Sequence, residues 1–222
     1  MIKVLLADDD AMVRIGVASI LASDPEIEVV AEAGDGGEAV ELALVHRPDV
    51  ALLDVRMPVT DGIAAAAELR KAAPEVAVVM LTTFDEDEYV ARALGEGAVG
   101  FLLKAADPRE LIIAVHAAAG GAAYLSPRIA RRMITRFGAE RPARQMVASA
   151  RLAGLTPRET EVLVLVGQGL VNQDIAVRLH VSEGTVKAHV SAILARLQVR
   201  NRVQAAILAF EAGLVEAAEP GG

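Results

Sequence analysis

Lys3-Val4-Leu5-Leu6-Ala7-Asp8-Asp9-Asp10 runs from apolar residues straight into three aspartates, and Val50-Ala51-Leu52-Leu53-Asp54 repeats the pattern of a short apolar run ending on a carboxylate. Such runs read as strands buried on both faces. Five of them fall at Lys3–Ala7, Glu28–Ala33, Val50–Leu53, Val76–Leu81 and Ala98–Leu102. Helix-like stretches follow each in turn: Met12–Leu21, Glu38–Val45, Ile63–Ala72, Glu86–Leu94 and Arg109–Ala118. Parallel strands need a crossover between them, so the alternation predicts an α/β domain with a doubly wound parallel sheet of five strands. The second run carries Glu28 and Glu32 and suits an edge.

The second half changes character. After Gly120-Gly121, Ser126-Pro127 forms a cap and first-turn pair that opens a basic helix with Arg128, Arg131, Arg132 and Arg136. From Gly138 to Arg151 the apolar period is lost, and a flexible linker is expected there. Thr156-Pro157-Arg158-Glu159 is a capping box with proline at the first helical position, and its helix stops near Gly167-Gln168-Gly169. A second helix is expected after Asn172, ending near His180. A third is capped by Ser182 and runs to about Leu197, and a fourth covers roughly Val203 to Ala212. The tight Leu179-His180-Val181-Ser182 turn between the middle two reads as helix-turn-helix. The boundaries are a first domain over 1–119, a linker with a basic helix over 120–151, and a small all-α domain over 152–216.

Composition narrows the function. The chain of 222 residues has a formal charge of −8, but residues 1–120 hold 9 Lys/Arg against 22 Asp/Glu, whereas 121–222 hold 13 against 8. An acidic front of −13 is joined to a basic back of +5. No cysteine is present, which excludes disulfides, thiolate metal sites and cysteine nucleophiles. No tryptophan and 3% aromatics argue against a base-stacking platform or an aromatic-lined pocket. Apolar stretches break well before the ~18 residues a membrane span needs, and the first residues lack the basic and cleavage features of a signal peptide. The expected location is the cytoplasm, with no membrane partner.

In a parallel sheet the residues after each strand share one edge. Asp8 and Asp9 follow the first strand, Asp54 the third, Thr82 the fourth and Lys104 the fifth, so three carboxylates, a hydroxyl and an ammonium should converge. Crowded carboxylates repel, and a hard divalent cation with a taste for oxygen relieves them, which makes Mg2+ the expected guest. One carboxylate can then act as nucleophile toward phosphorus, with Lys104 and Thr82 supplying a cation and a donor. Any one of these aspartates alone, Asp10 or Asp61 for instance, is equally well a solvated helix cap.

The residues Leu5-Leu6-Ala7-Asp8-Asp9-Asp10, Leu52-Leu53-Asp54-Val55-Arg56-Met57-Pro58-Val59-Thr60-Asp61-Gly62, Leu81-Thr82-Thr83-Phe84 and Gly100-Phe101-Leu102-Leu103-Lys104 resemble the receiver domains of bacterial two-component response regulators, over nearly all of residues 3–119. The resemblance implies a flavodoxin-like fold and phosphorylation of Asp54 by a sensor histidine kinase. It further implies that Asp9, Asp54 and the backbone carbonyl of Arg56 hold Mg2+ directly, with Asp8 acting largely through water. Lys104 would pair with the phosphate, Thr82 would move to hydrogen-bond it, and Phe101 would swing inward behind Thr82. Phe101 is also readable as a plain core residue on a buried strand. Thr83, Ala105 and Arg56 depart from the residues common at those positions in the family.

On the third helix of the back half, Val186, Val190, Ile193, Leu194 and Leu197 form one apolar stripe. The opposite face carries Gly184, Ala188, Ser191, Ala192 and Ala195, flanked by Thr185 and Lys187. Small residues let a helix approach the floor of a DNA major groove, and the helix N-terminus with Lys187 would meet phosphates or base edges. An alanine-rich surface helix is the plain alternative. The run Leu155-Thr156-Pro157-Arg158-Glu159, Ile175-Ala176, Val181-Ser182-Glu183-Gly184-Thr185-Val186-Lys187-Ala188-His189-Val190 and Leu194 resembles the LuxR-type helix-turn-helix of the NarL/FixJ response regulators, over about Leu152 to Leu214. That resemblance implies that Lys187 and its neighbours Ala188 and Ser191 read double-stranded DNA, with Asn172 and Thr185 near phosphates. A charge of only +5 predicts weak binding by one domain, strengthened by homodimerisation on two half-sites. His46, His116, His180 and His189 show no ligand spacing and read as structural or surface residues.

The reading is a phosphorylation-switched transcription regulator and not an enzyme. A Mg2+-dependent phosphohydrolase would use the same carboxylates but needs a general acid near Asp54, where Arg56 stands. A LuxR-type regulator sensing a small ligand fits the acidic βα alternation of the front half least well.

Overall fold

A parallel sheet is stable only when both faces are covered, and Val4, Leu5, Leu6, Val50, Leu52 and Leu53 are accordingly all fully buried. The computed structural model describes residues 1–83, 87–126, 129 and 141–215. They divide into two compact units. One takes residues 1–119 and the described part of 123–131, and the other takes 120–122 and the described part of 132–222.

In the first unit the chain forms β1 (Ile2–Ala7), α1 (Ala11–Leu21), β2 (Ile27–Ala33), α2 (Gly36–His46), β3 (Val50–Asp54), α3 (Gly62–Ala72), β4 (Ala77–Thr82), α4 (Asp87–Glu96), β5 (Gly100–Leu103), α5 (Pro108–Ala119) and β6 (Tyr124–Leu125). The sheet order is β2-β1-β3-β4-β5-β6 and every pairing is parallel. The charged second strand lies at one edge, as its glutamates foretold. At the other edge the sheet exceeds the expected five strands. Tyr124 and Leu125 pair with Gly100 and Phe101 as a sixth, a segment too short to carry a readable period. From β1 the chain steps one way to β2 and the other way to β3, so the switch in winding falls between β1 and β3. A crevice opens at the carboxyl ends of strands at such a point.

Aspartates start four of the crossover helices, Asp107 among them, whose Oδ1 accepts from the Arg109 N–H at 2.8 Å at the head of α5. Asp10 accepts a hydrogen bond from the Met12 N–H at 2.8 Å, Asp35 from those of Gly37 at 2.8 Å and Glu38 at 3.1 Å, and Asp61 from that of Ala64 at 2.7 Å. Each cap contributes about 1 kcal/mol. Small buried residues, among them Ala39, Ala43, Ala65, Ala66 and Ala114, line the inner faces of these helices.

The second unit holds α6 (Arg141–Leu152), α7 (Pro157–Gly167), α8 (Asn172–Leu179), α9 (Glu183–Leu197) and α10 (Arg202–Glu211). The capping box forms as read: Thr156 and Glu159 bond reciprocally at the start of α7. His180 takes a left-handed conformation with φ 56° and turns the chain between α8 and α9, and Ser182 caps α9. The stripe on α9 reaches the core through Val186, Ile193 and Leu197, with Val190 and Leu194 partly buried against it.

Two expectations need correction here. Residues 141–151, read as part of a flexible linker, are helical and close with Leu152. Ala148 is buried in the core of this unit, Leu152 packs against that core, and Arg151 donates to the Leu197 carbonyl at the end of α9. Asn172, expected just ahead of its helix, is the first residue inside it. Val171 stands at the cap position without a side-chain hydrogen bond. The basic helix expected to open at Ser126-Pro127 falls largely outside the described residues.

Candidate functional site

The sheet register sets the acidic pocket. Ala7 pairs with Leu53, Asp54 with Leu81, and Thr82 with Leu103, so Asp8, Asp54, Thr82 and Lys104 come out on one edge. The Lys104 N–H donates to the Thr82 carbonyl at 2.8 Å, continuing the ladder up to the pocket. Lys104 Nζ then lies 2.6 Å from Asp8 Oδ2 and 3.1 Å from Asp54 Oδ1. Asp8 is fully buried, Asp54 and Thr82 are nearly so, and Asp9 is open to solvent. Carboxylate oxygens of Asp8, Asp9 and Asp54 all lie within 4.8 Å of one another.

Burial raises the Asp54 carboxyl above its ordinary range, and the neighbouring Asp8 charge adds to this while Lys104 opposes it. Burial alone would lower Lys104, but its hydrogen bonds and ion pairs with Asp8 and Asp54 prevail and raise it. Lys104 therefore stays charged at neutral pH. Three carboxylates against one ammonium leave an excess of negative charge on an all-oxygen donor set. A small hard divalent cation fits that set.

The loop after β3 shapes the pocket from below. A Cβ on Gly62 would stand 1.9 Å from the Asp54 carbonyl oxygen, so only glycine allows the approach. The Gly62 N–H donates to the Val55 carbonyl at 3.1 Å. Val59 has φ 62°, and the Thr60 N–H reaches across it to the Pro58 carbonyl at 2.6 Å, a three-residue turn that strains a β-branched residue. The Arg56 guanidinium sits over the Tyr89 ring, 5.6 Å from its centre. Phe101 is fully buried between Met80 and Leu125 on neighbouring strands, so its ring already occupies the interior in this conformation.

On the second unit, Thr185, Lys187, Ala188 and Ser191 are all exposed along one side of α9. Lys187 Nζ is 2.9 Å from Glu183 Oε1, one turn back, and Ser191 Oγ donates to the Lys187 carbonyl at 2.9 Å. Asn172 is not on this surface. It is buried, and its Oδ1 accepts from Arg202 Nη1 at 2.8 Å. Arg202 is itself buried, and desolvation lowers its pKa to about 10.

Sequence reasoning missed several of these residues. Gly62 lay inside the quoted loop, but nothing short of the loop's path shows that a Cβ would strike Asp54. Arg202 sat unremarked at a helix start. His116, read as structural or surface, is 2.9 Å from Asp24 Oδ2, and with Glu26 the two bring ligand atoms within 4.8 Å of one another across 92 positions of chain. The hydrogen bond to His116 holds the Asp24 carboxyl below its ordinary range. Among the described residues no helix is long and apolar enough to cross a membrane.

Comparison with known proteins agrees with this division. Residues 4–116 match the response regulator receiver domain, and residues 153–209 match the luxR family of bacterial regulatory proteins. The transcriptional regulatory protein LnrK of Bacillus subtilis is 40% identical over 217 residues, covering 96% of this chain and 99% of LnrK. The response regulator protein VraR of Staphylococcus aureus is 39% identical over 215 residues, covering 97% of this chain and 99% of VraR. Among solved structures, the response regulator ChrA of a heme-sensing two-component system is 37% identical over 96% of this chain and 98% of its own, with a TM-score of 0.53. The receiver domain of NarL from Mycobacterium tuberculosis is 42% identical over 54% of this chain and 97% of its own, also at 0.53. Two domain matches that fall on the two structural units, and relatives aligned along almost their whole length, make this chain a member of the response regulators that join a receiver domain to a LuxR-type DNA-binding domain.

Proposed function

We propose that the receiver domain, residues 1–119, accepts a phosphoryl group on Asp54 from a sensor histidine kinase and thereby controls DNA binding by residues 152–216. The observation that carries this is the convergence of Asp8, Asp54 and Lys104, with Lys104 Nζ within 3.1 Å of both carboxylates. An Asp54 carboxylate oxygen attacks the phosphorus of a phosphohistidine. The phosphorus–nitrogen bond breaks as the oxygen–phosphorus bond forms, and the freed imidazole takes up a proton. Asp8, Asp9, Asp54 and the Arg56 backbone carbonyl are the groups that would hold Mg2+, which when bound offsets charge on the phosphoryl oxygens. Lys104 supplies a second positive charge, and Thr82, at the end of β4, supplies a hydroxyl to the phosphorylated state. Phe101 reports that state through packing, since it has no hydroxyl of its own.

The exposed side of α9 is the DNA-reading surface, with Thr185, Lys187, Ala188 and Ser191 facing the groove. The buried Asn172 makes no such contact in this conformation, so its part in phosphate binding requires release from Arg202. The chain acts in the cytoplasm as a regulator and not as an enzyme. In keeping with this, Arg56 occupies the place where a phosphohydrolase would need its general acid. Acetyl phosphate with Mg2+ is expected to label the wild-type protein, and Asp54→Asn to abolish the label. A mutant that still takes up phosphate stoichiometrically would show that another residue is the acceptor.

A further inference from the structure

One member of the acidic pocket has no partner among the described residues. Asp9 is exposed, and its carboxylate makes no hydrogen bond or ion pair among the described residues. Asp8, its neighbour, is held at every polar group. Its N–H donates to the Ala33 carbonyl at 3.1 Å, Oδ1 accepts from the Asp10 N–H at 3.1 Å, and Oδ2 faces Lys104 Nζ at 2.6 Å. Its carbonyl oxygen accepts from Arg14 Nη1 at 2.7 Å. That last bond differs in kind, because the Asp8 carbonyl belongs to the peptide plane that leads into Asp9. Fixing the carbonyl fixes the Asp9 nitrogen and Cα, and with them the origin of the Asp9 side chain.

Arg14 is well placed to hold that plane. It stands in the first half of α1, its N–H donates to the Asp10 carbonyl at 3.1 Å, and its Nε lies 3.4 Å from Glu32 Oε2 on the edge strand β2. A planar guanidinium can address the carbonyl and the carboxylate together, which a lysine ammonium on a flexible stem cannot do with the same geometry. Without this brace, repulsion among Asp8, Asp9 and Asp54 would swing the unsupported member, Asp9, toward solvent.

Building on the reading of this pocket as a Mg2+-dependent phosphoacceptor, we propose that Arg14 is a positioning residue of the cation site, locking the Asp8–Asp9 peptide so that the Asp9 carboxylate is already aimed at the ion that Asp54 shares. The test is calorimetric titration of the full chain with MgCl2, for wild type and Arg14→Met, alongside thermal melts. Arg14→Met is expected to weaken Mg2+ by about tenfold or more, the usual scale for groups that orient metal ligands. The Mg2+ concentration giving half-maximal labelling by acetyl phosphate should rise by the same factor, whereas general unfolding would depress labelling at every Mg2+ concentration. Equal Mg2+ affinity in a folded Arg14→Met protein overturns the role of Arg14 and leaves the phosphoacceptor reading standing. Wild-type protein that takes up no Mg2+ overturns both. Should Arg14→Met not fold, Arg14→Gln, too short to reach the Asp8 carbonyl, decides by the same comparison.

Discussion

Gly62 carries no side chain because the space is already taken: the Asp54 carbonyl oxygen lies 1.9 Å from where a Cβ would be. Gly62→Ala must push α3 or the end of β3 aside, and should cost about 3 kcal/mol, read from denaturant unfolding. Because the carbonyl displaced belongs to Asp54, the variant should also lose phosphate uptake; full stability would show the loop to be freer than its path implies. Val59, exposed at φ 62°, is the opposite case, a residue the backbone dislikes in a turn beside the pocket. Tyr124 offers a pH test. Burial, and then the charge and hydrogen bond of Glu110, raise its phenol to about 12. Folding therefore favours the protonated phenol. Its stabilising contribution is complete below the unfolded value near 10 and lost as pH rises through about 12. In an alkaline titration the late phenolate component should vanish in Tyr124→Phe, and a Tyr124 that ionises near 10 would show it unshielded.

At the scale of elements, α9 divides its duties by face. Val186, Ile193 and Leu197 bury one side, and the side with Lys187, Ala188 and Ser191 is left open. Among the described residues the Lys187 ammonium pairs with Glu183 at the surface, and an exposed i,i+4 pair of this kind contributes about 0.3–0.5 kcal/mol. Lys187→Ala should thus leave the melting temperature and phosphorylation almost unchanged, yet weaken operator binding by about 1–3 kcal/mol. Titrations at several salt concentrations check this, and unchanged binding would move the DNA surface elsewhere. Around α9 the other helices serve as a frame: Arg158 donates to the Leu179 carbonyl at 3.0 Å, and Arg196 to that of Gly154 at 3.2 Å. Most of these elements were legible in advance. Capping residues, proline at the first helical position and the i, i+4, i+7 stripe are local signals, and α7, α9 and α10 begin within a residue or two of where those signals lie. α6 was not legible: among its described side chains the fully buried one is an alanine, Ala148, whose apolar signal is weak.

For the whole molecule the division of charge is the governing fact. A front of −13 repels DNA phosphates, and a back of +5 attracts them only modestly. On the proposed function, affinity and its control would come from pairing two chains on two half-sites, where the second contact gains from effective concentration. Light scattering with acetyl phosphate and Mg2+ should show the wild-type mass doubling while Asp54→Asn stays monomeric, and only the doubled species should bind a two-half-site fragment tightly. A phosphorylated protein that remains monomeric with unchanged DNA affinity would refute this coupling. The switch needs only a few kcal/mol of bias between two states to produce that change.

Taken alone, the order of apolar runs determined the parallel sheet, and the residues closing those runs determined which carboxylates share its edge, because strand ends in a parallel sheet all point the same way. Hydrophobic period and caps determined the helix-turn-helix in the same local manner. Long-range approaches came from packing instead: Gly62 under Asp54, Arg14 on the Asp8 carbonyl, Asn172 turned inward to Arg202, and His116 beside Asp24. Each depends on distances between elements that are set by packing, and no spacing along the chain encodes them.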